Sequence, residues 1–183
     1  MATEREQQDA LLALLNSTPV VEGDPRDDLA DPAARRSWQR AHGGTGSAAE
    51  GRALVEARDA LQSVVRGSSP AASLTPLLAG VTSRPRATPE GVDWELDVPD
   101  DRRLAVDIVM AWSAVQRTMP SRLRPCANDE CRLFLLDRSK TNKGRWCSMA
   151  VCGNRMKARR HYQRTREATA DAAGGAAARE PAE

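Results

Sequence analysis

The chain has 183 residues, 27 of them basic and 25 acidic, for a formal net charge of +2. That length allows one or two small domains. No segment approaches the roughly 20 apolar residues that would span a bilayer. The first apolar run, Ala10 to Leu15, is too short and too closely preceded by Glu4, Glu6 and Asp9 to be a secretory signal. The expectation is a cytoplasmic protein with no membrane partner, a compartment in which clustered cysteines bind metal more often than they form disulfides.

The near-neutral total conceals a strong polarity. Residues 1–119 carry 13 basic and 18 acidic side chains, residues 120–166 carry 13 and 3, and residues 167–183 carry 1 and 4. A basic module attached to an acidic domain is the reading this favours, the alternative being a solvated surface whose halves attract each other.

Residues 4–16 read as a helix, with Leu11, Leu12, Leu14 and Leu15 on a broad apolar face and Asn16-Ser17-Thr18-Pro19 ending it. A loop rich in Gly, Pro and Asp follows. Asp31-Pro32 reads as an N-cap with proline at the first helical position, opening a helix that carries Trp38 and stops near Gly43-Gly44. Ser47 and Glu50 have capping-box spacing. The helix they open places Leu54, Ala57, Leu61, Val64 and Val65 on one face and closes at Gly67. A short helical turn fits Leu74 to Leu78. Alternation at Val92, Trp94, Leu96 and Val98 predicts a strand, half of a hairpin. Pro99-Asp100 then opens a helix to about Arg117, apolar enough, with Val106, Val109 and Met110 beside the main stripe, to be buried on two sides. Trp38 and Trp112 read as core. His42, in a glycine-rich loop, reads as solvated.

Met119-Pro120 begins a linker into the most informative segment. Cys126, Cys131, Cys147 and Cys152 form two identical pairs, each with four residues between its cysteines, and the pairs are separated by fifteen residues. Two short chelate pairs joined by a spacer of hairpin length predict a tetrahedral site for one structural Zn²⁺, closed to water and substrate. Disulfide pairing and His161 as a substitute ligand are the alternatives. Four thiolates and one Zn²⁺ together remove two positive charges from this segment. Its few large apolar groups predict that it is unfolded without metal. The spacing predicts a ligand turn at 126–131, a strand at Leu133–Leu136, a hairpin loop at 137–144, a returning strand at Arg145–Trp146, and a final helix from Gly153 to about Arg166. That order describes a treble-clef arrangement. Residues 167–183, rich in Ala, Gly and Glu, read as a disordered tail.

At about 100° per residue, Arg155, Arg159 and Arg166 fall on one flank of the final helix and Lys157, Arg160 and Arg164 on the other. A helix in the DNA major groove has a phosphate backbone on each side, so two basic flanks suit that docking. Lys140, Lys143 and Arg145 add a basic hairpin tip. Lys140, Lys143, Arg145, Arg155, Lys157, Arg159, Arg160 and Arg164 are therefore the candidate nucleic-acid contacts. Arginine-rich helices also enter RNA grooves, so RNA is a further partner to weigh. With only Tyr162 as an aromatic on the helix, a single-strand reader is disfavoured. Asn154 and Gln163 are weaker candidates for reading base edges. Residues 1–119 show no clustered histidines, no phosphate-cradling glycine motif and no nucleophile with an evident base, so no enzymatic activity is expected.

Arg124-Pro125-Cys126, Cys131, the run Leu133 to Lys140, Arg145-Trp146-Cys147-Ser148-Met149 and Cys152-Gly153-Asn154-Arg155-Met156-Lys157-Ala158-Arg159 resemble the CGNR zinc-finger family over residues 122–164. Ahead of it, Leu15-Asn16-Ser17-Thr18, Asp28-Leu29 and Trp38 resemble the ABATE domain that usually precedes this finger. The resemblance implies a stress-linked bacterial transcription regulator whose four cysteines hold one zinc. Within the motif, Gly153 is expected to let the backbone approach a sulfur, and Asn154 to cap the final helix.

The fold class expected is mainly α with small β elements: an α-rich domain over 1–119, a treble-clef-like four-cysteine zinc finger over 120–166, and the tail. The first domain would sense a small-molecule or protein signal or mediate homodimerisation, and the finger would bind duplex DNA. The alternative is a zinc-stabilised protein-interaction adaptor whose basic face docks an acidic partner or the chain's own first domain.

Overall fold

The computed structural model describes the backbone of residues 3–177 and the side chains of residues 3–166. Helix α1 spans Glu4–Leu15. A small antiparallel ribbon follows, β1 Val20–Val21 with β2 Asp24–Pro25. Next come α2, Pro32–Ala41, and α3, Ala48–Arg66. A 3₁₀ helix covers Ala71–Leu78. A second antiparallel ribbon pairs β3 Thr82–Thr88 with β4 Gly91–Asp97, and α4 runs Asp100–Thr118. In the cysteine-bearing segment β5 is Leu123–Pro125 and β6 Phe134–Leu136. A π-helical turn, Met149–Gly153, leads into α5, Asn154–Ala177. Mainly α with small antiparallel pairs is thus the observed class. Among the described residues, no helix is long and apolar enough to cross a membrane.

Helix ends follow local chemistry. Asp31 Oδ2 accepts from Ala34 N at 2.7 Å, and Pro32 occupies the first helical position. Gly67 closes α3 in the left-handed region at φ 77°, a conformation that disfavours residues with a Cβ. Ser47 caps α3 by accepting from Glu50 N at 3.1 Å. The reciprocal half of the expected capping box is absent. Glu50 instead turns inward, almost fully buried, and accepts from Thr45 N, Gly46 N and Gln39 Nε2 at 3.0, 2.9 and 2.7 Å. Gly44 makes room for it, since a Cβ there would lie 2.7 Å from Glu50 Oε2. The complete capping box belongs to α1, where Thr3 and Glu6 exchange both bonds.

The core is one cluster: Leu11, Leu14 and Leu15 of α1, Leu54, Ala57 and Leu61 of α3, and Leu104, Ile108, Val109 and Val115 of α4 meet Leu123, Phe134 and Leu136 of the β5–β6 pair. Strands of the cysteine segment therefore complete the helical layer. Val106 and Val109, expected with Met110 to bury a second face of α4, are 1 % and 2 % exposed, so α4 is covered on two sides, and Met110 alone of the three reaches solvent at 38 %. Trp38 and Trp112 are half-buried and pack against the cluster. His42, expected to be solvated, stacks on Trp38 with ring centroids 3.8 Å apart, and its Nδ1 lies 2.8 Å from Trp38 O.

Polar anchors fix the long loop after α1. Arg58, buried on α3, donates to Asp27 Oδ1 and Oδ2 at 2.6 and 3.0 Å and to Asp59. Burial alone would raise the Asp27 carboxyl, but the hydrogen bonds from Arg58 and Leu29 outweigh it and lower its pKa. Gln62 donates to Leu15 O and Thr18 Oγ1, both at 2.8 Å, satisfying a carbonyl at the end of α1.

Of the segment expected to be a disordered tail, residues 167–177 continue α5. Residues 178–183 lie outside the described residues.

Candidate metal centre and nucleic-acid interface

The four cysteines converge. Their sulfurs all lie within 4.8 Å of one another. Cys147 Sγ is 3.7 Å from Cys131 Sγ and 3.6 Å from Cys152 Sγ. Those separations exceed a disulfide bond of about 2.05 Å. They fit the edges of a sulfur tetrahedron, since four Zn–S bonds of about 2.3 Å set sulfurs about 3.8 Å apart. Three of the four sulfurs also have backbone or amide support. Cys147 N donates to Cys126 Sγ at 3.4 Å, Leu133 N to Cys131 Sγ at 3.5 Å, and Asn128 Nδ2 to Cys152 Sγ at 3.6 Å. Donors aimed at sulfur stabilise thiolate, the form that binds metal.

Without a cation the cluster is electrostatically frustrated. Burial pushes the Cys131 thiol up to about 11. Burial and the neighbouring thiols raise Cys147 as well. Burial opposes ionisation of Cys152 too, but bonds from Asn128 and the other cysteines outweigh it and lower its pKa. Cys131 and Cys147 hold their protons tightly in this packing, and a divalent ion replaces them. The all-sulfur donor set fits one structural Zn²⁺. His161 lies among the exposed residues of α5, outside the sulfur cluster.

The local chain path differs from the expected hairpin. β6 pairs antiparallel with β5, with Leu123 opposite Leu136 and Pro125 opposite Phe134, and Cys126 N donates to Leu133 O at 2.8 Å. The first cysteine turn therefore sits in the loop of this ribbon, with Cys126 continuing β5 directly. Arg145 and Trp146 form no strand, and they touch the first turn through Ala127 N donating to Arg145 O at 2.8 Å. The reason is Arg124. Its guanidinium donates to the carbonyls of Asn142 and Gly144 and to Asp137 Oδ2 at 2.9 Å, which bends loop 137–144 back over β5 instead of extending it. Asp137 accepts from Ser139 N at 2.9 Å and Gly144 N at 2.6 Å. Its bonds to the Ser139 hydroxyl and backbone, then to Gly144, hold this carboxyl down to about 2.

Two motif residues have other roles than expected. Asn154 has helical dihedrals and donates weakly to Ala150 O, so it carries the helical path from the turn into α5 and does not cap it. The capping side chain is Ser148, which accepts from Val151 N at 3.4 Å. Gly153 faces the Met149 thioether and Trp146, not a sulfur ligand: an added Cβ would lie 2.8 Å from Met149 Sδ and 3.3 Å from Trp146 Cδ1. Asn128 carries no expectation from sequence. A short amide between two paired cysteines is the available signal, because such a side chain can reach the sulfur of the opposite pair.

Contacts also weld this segment to the helices. Asn16 at the end of α1 extends a strand-like pair of bonds to β6, accepting from Phe134 N at 2.7 Å and donating to Phe134 O at 3.2 Å. Arg66 lies over the Phe134 ring at 4.4 Å and donates to Arg132 O at 2.7 Å. Arg138 pairs with Asp9 at 2.6 Å.

A CGNR zinc-finger model matches residues 122–165. A second family model, ABATE, described as "Putative stress-induced transcription regulator", matches residues 8–129, more than half of the chain. The chain belongs to the ABATE family. No curated protein matches it. In this ABATE protein the two matches overlap on the stretch holding β5 and Cys126, where Leu123 joins the helical core.

All eight candidate contacts are exposed: Lys140, Lys143, Arg145, Arg155, Lys157, Arg159, Arg160 and Arg164. Arg159 pairs with Glu130 of the first cysteine turn, and the charges of Arg159 and Arg155 help hold the Glu130 carboxyl below its usual range. Arg145 lies over the Trp146 ring. Among the described residues no carboxylate lies within 4 Å of Lys140, Lys143, Lys157, Arg160 or Arg164. Helix α5 packs mainly on the turn that precedes it, so beyond its first turns both basic flanks face solvent.

Proposed function

We propose that this ABATE protein is a non-enzymatic, cytoplasmic transcription regulator that binds duplex DNA through its finger, with α5 in the major groove. The observation that carries the reading is the row of exposed, carboxylate-free cations on α5 and at Lys140 and Lys143, directly attached to the zinc-fitting cluster. Zinc bound there supplies structure alone, since four thiolates leave no open position. The chain's own residues do the rest. Cys147 and Cys152 hold the start of α5, and the Glu130–Arg159 pair braces it against the first turn. Lys157, Arg160 and Arg164 on one flank and Arg155 on the other neutralise phosphates and release counterions, while Arg159 stays on Glu130. The helical domain would carry the dimer contact or the signal-binding function that sets regulation.

The adaptor reading predicts that the basic face covers an acidic surface. The described ion pair from finger to helical domain uses Arg138, outside the eight cations. Filter binding of the zinc-loaded full chain tests the two. Duplex DNA should bind tighter than an acidic polypeptide of equal charge density and tighter than duplex RNA. Equal or preferred binding of the polypeptide supports the adaptor instead.

A further inference from the structure

The turn joining the last two cysteines displays two apolar side chains to solvent, Met149 at 54 % exposure and Val151 at 56 %. They are held, not loose. Cys147 and Cys152 clamp the ends, Ser148 Oγ accepts from Val151 N, and Gly153 N donates to Ser148 O at 3.0 Å. Met149 lies across Gly153, a position that any larger residue would contest. The turn runs directly into the first turn of α5, and exposed cations bracket it in the chain, Arg145 before and Arg155 and Lys157 after.

An apolar pair fixed at the leading end of a basic helix needs a partner that offers negative charge on its rims and something apolar between them. The major groove of DNA has phosphates along both edges and one apolar group on its floor, the C5-methyl of thymine. Recognition helices present their N-terminal residues to that floor.

We propose that Met149 and Val151 contact thymine methyl groups in the major groove and give the finger a preference for duplexes containing A·T pairs. This rests on the duplex-DNA reading above and adds the base it selects. Arg155 and Lys157 set the depth by holding the phosphates, and the zinc-fitting cluster keeps the two side chains at the front.

The test uses zinc-loaded full chain and two alternating duplexes, one of dA and dT and one of dA and dU, which differ by the methyl group alone. The expected result is about fourfold tighter binding to the dT duplex, the worth of one buried methyl. Met149→Ser combined with Val151→Ser should erase that difference while zinc stoichiometry and the salt dependence of binding stay unchanged. Val151→Ser alone keeps the Met149–Gly153–Trp146 packing and should shrink the difference, which covers the case in which the double variant loses zinc. Equal binding of the unaltered chain to both duplexes overturns the proposal and leaves the duplex reading standing, as does a dT preference that survives in both variants. Failure to bind either duplex overturns both.

Discussion

The two ends of this molecule are built on different physics. The helical layer excludes water from leucines and valines contributed by three helices, while the two turns that carry the cysteine pairs bury little beyond sulfur and depend on charge, hydrogen bonds and a metal. Between them lies β5–β6, which belongs to both: Phe134 and Leu136 sit in the helical core, and Cys126 and Cys131 fill the ribbon's loop. A finger can be metal-dependent in its outer part and hydrophobically anchored in its inner part. Losing the metal and losing the core should therefore fail in different places.

The largest expected effect comes from Cys147→Ser. The variant should lose stoichiometric zinc and its duplex-DNA binding. Hydrogen exchange should show unprotected amides in residues 145–166, with α1, α3, α4 and β5–β6 still protected. Zinc retained at one per chain would mean the ligand set is wrong. Phe134→Ala should do the opposite, lowering global unfolding stability by about 3–5 kcal/mol in urea titrations while zinc still binds. Asn16→Ala removes both bonds to β6 and should cost about 1–3 kcal/mol by the same measurement. An unchanged urea midpoint would show that the helices and β6 are not coupled through it.

Asp137→Asn probes the loop that Arg124 folds over β5. The folded carboxyl sits near 2, below the ordinary value of about 3.9. A depressed carboxyl stabilises the fold above its ordinary pKa, and that stabilisation disappears as pH falls toward 2. In metal-free chain the urea midpoint of the variant should be lower than that of the unaltered chain at pH 7, and the gap should close between about pH 4 and 2. The smallest effect belongs to Lys140→Ala or Lys143→Ala, each reducing the log–log salt slope of DNA binding by about 1 with zinc and stability unchanged.

Much of this was legible in the chain because it is local. Asp31, Ser47 and Gly67 mark helix ends through bonds to residues a turn away. The paired cysteine spacings announce the metal cluster because chelate geometry is short-range. What escaped is set by distant partners. The two Ser/Thr-x-x-Glu patterns look alike in sequence, yet Thr3–Glu6 closes on itself while Glu50 is drawn inward by Gln39 and a loop that Gly44 lets approach. β6 has two conceivable neighbours, and Arg124 decides between them by bending the 137–144 loop away. Asn16 reads as a helix stop, and nothing near it reveals that it pairs with Phe134. Those features require knowing which elements meet.

The most direct test of the central claim, that a zinc-held basic helix engages duplex DNA, is the salt dependence of binding by the full chain with and without a zinc chelator. If about six phosphates are engaged, the zinc-loaded chain should give a log–log slope near −5, and chelation should abolish most of the affinity. A slope near zero, or an affinity that chelation leaves intact, would contradict it.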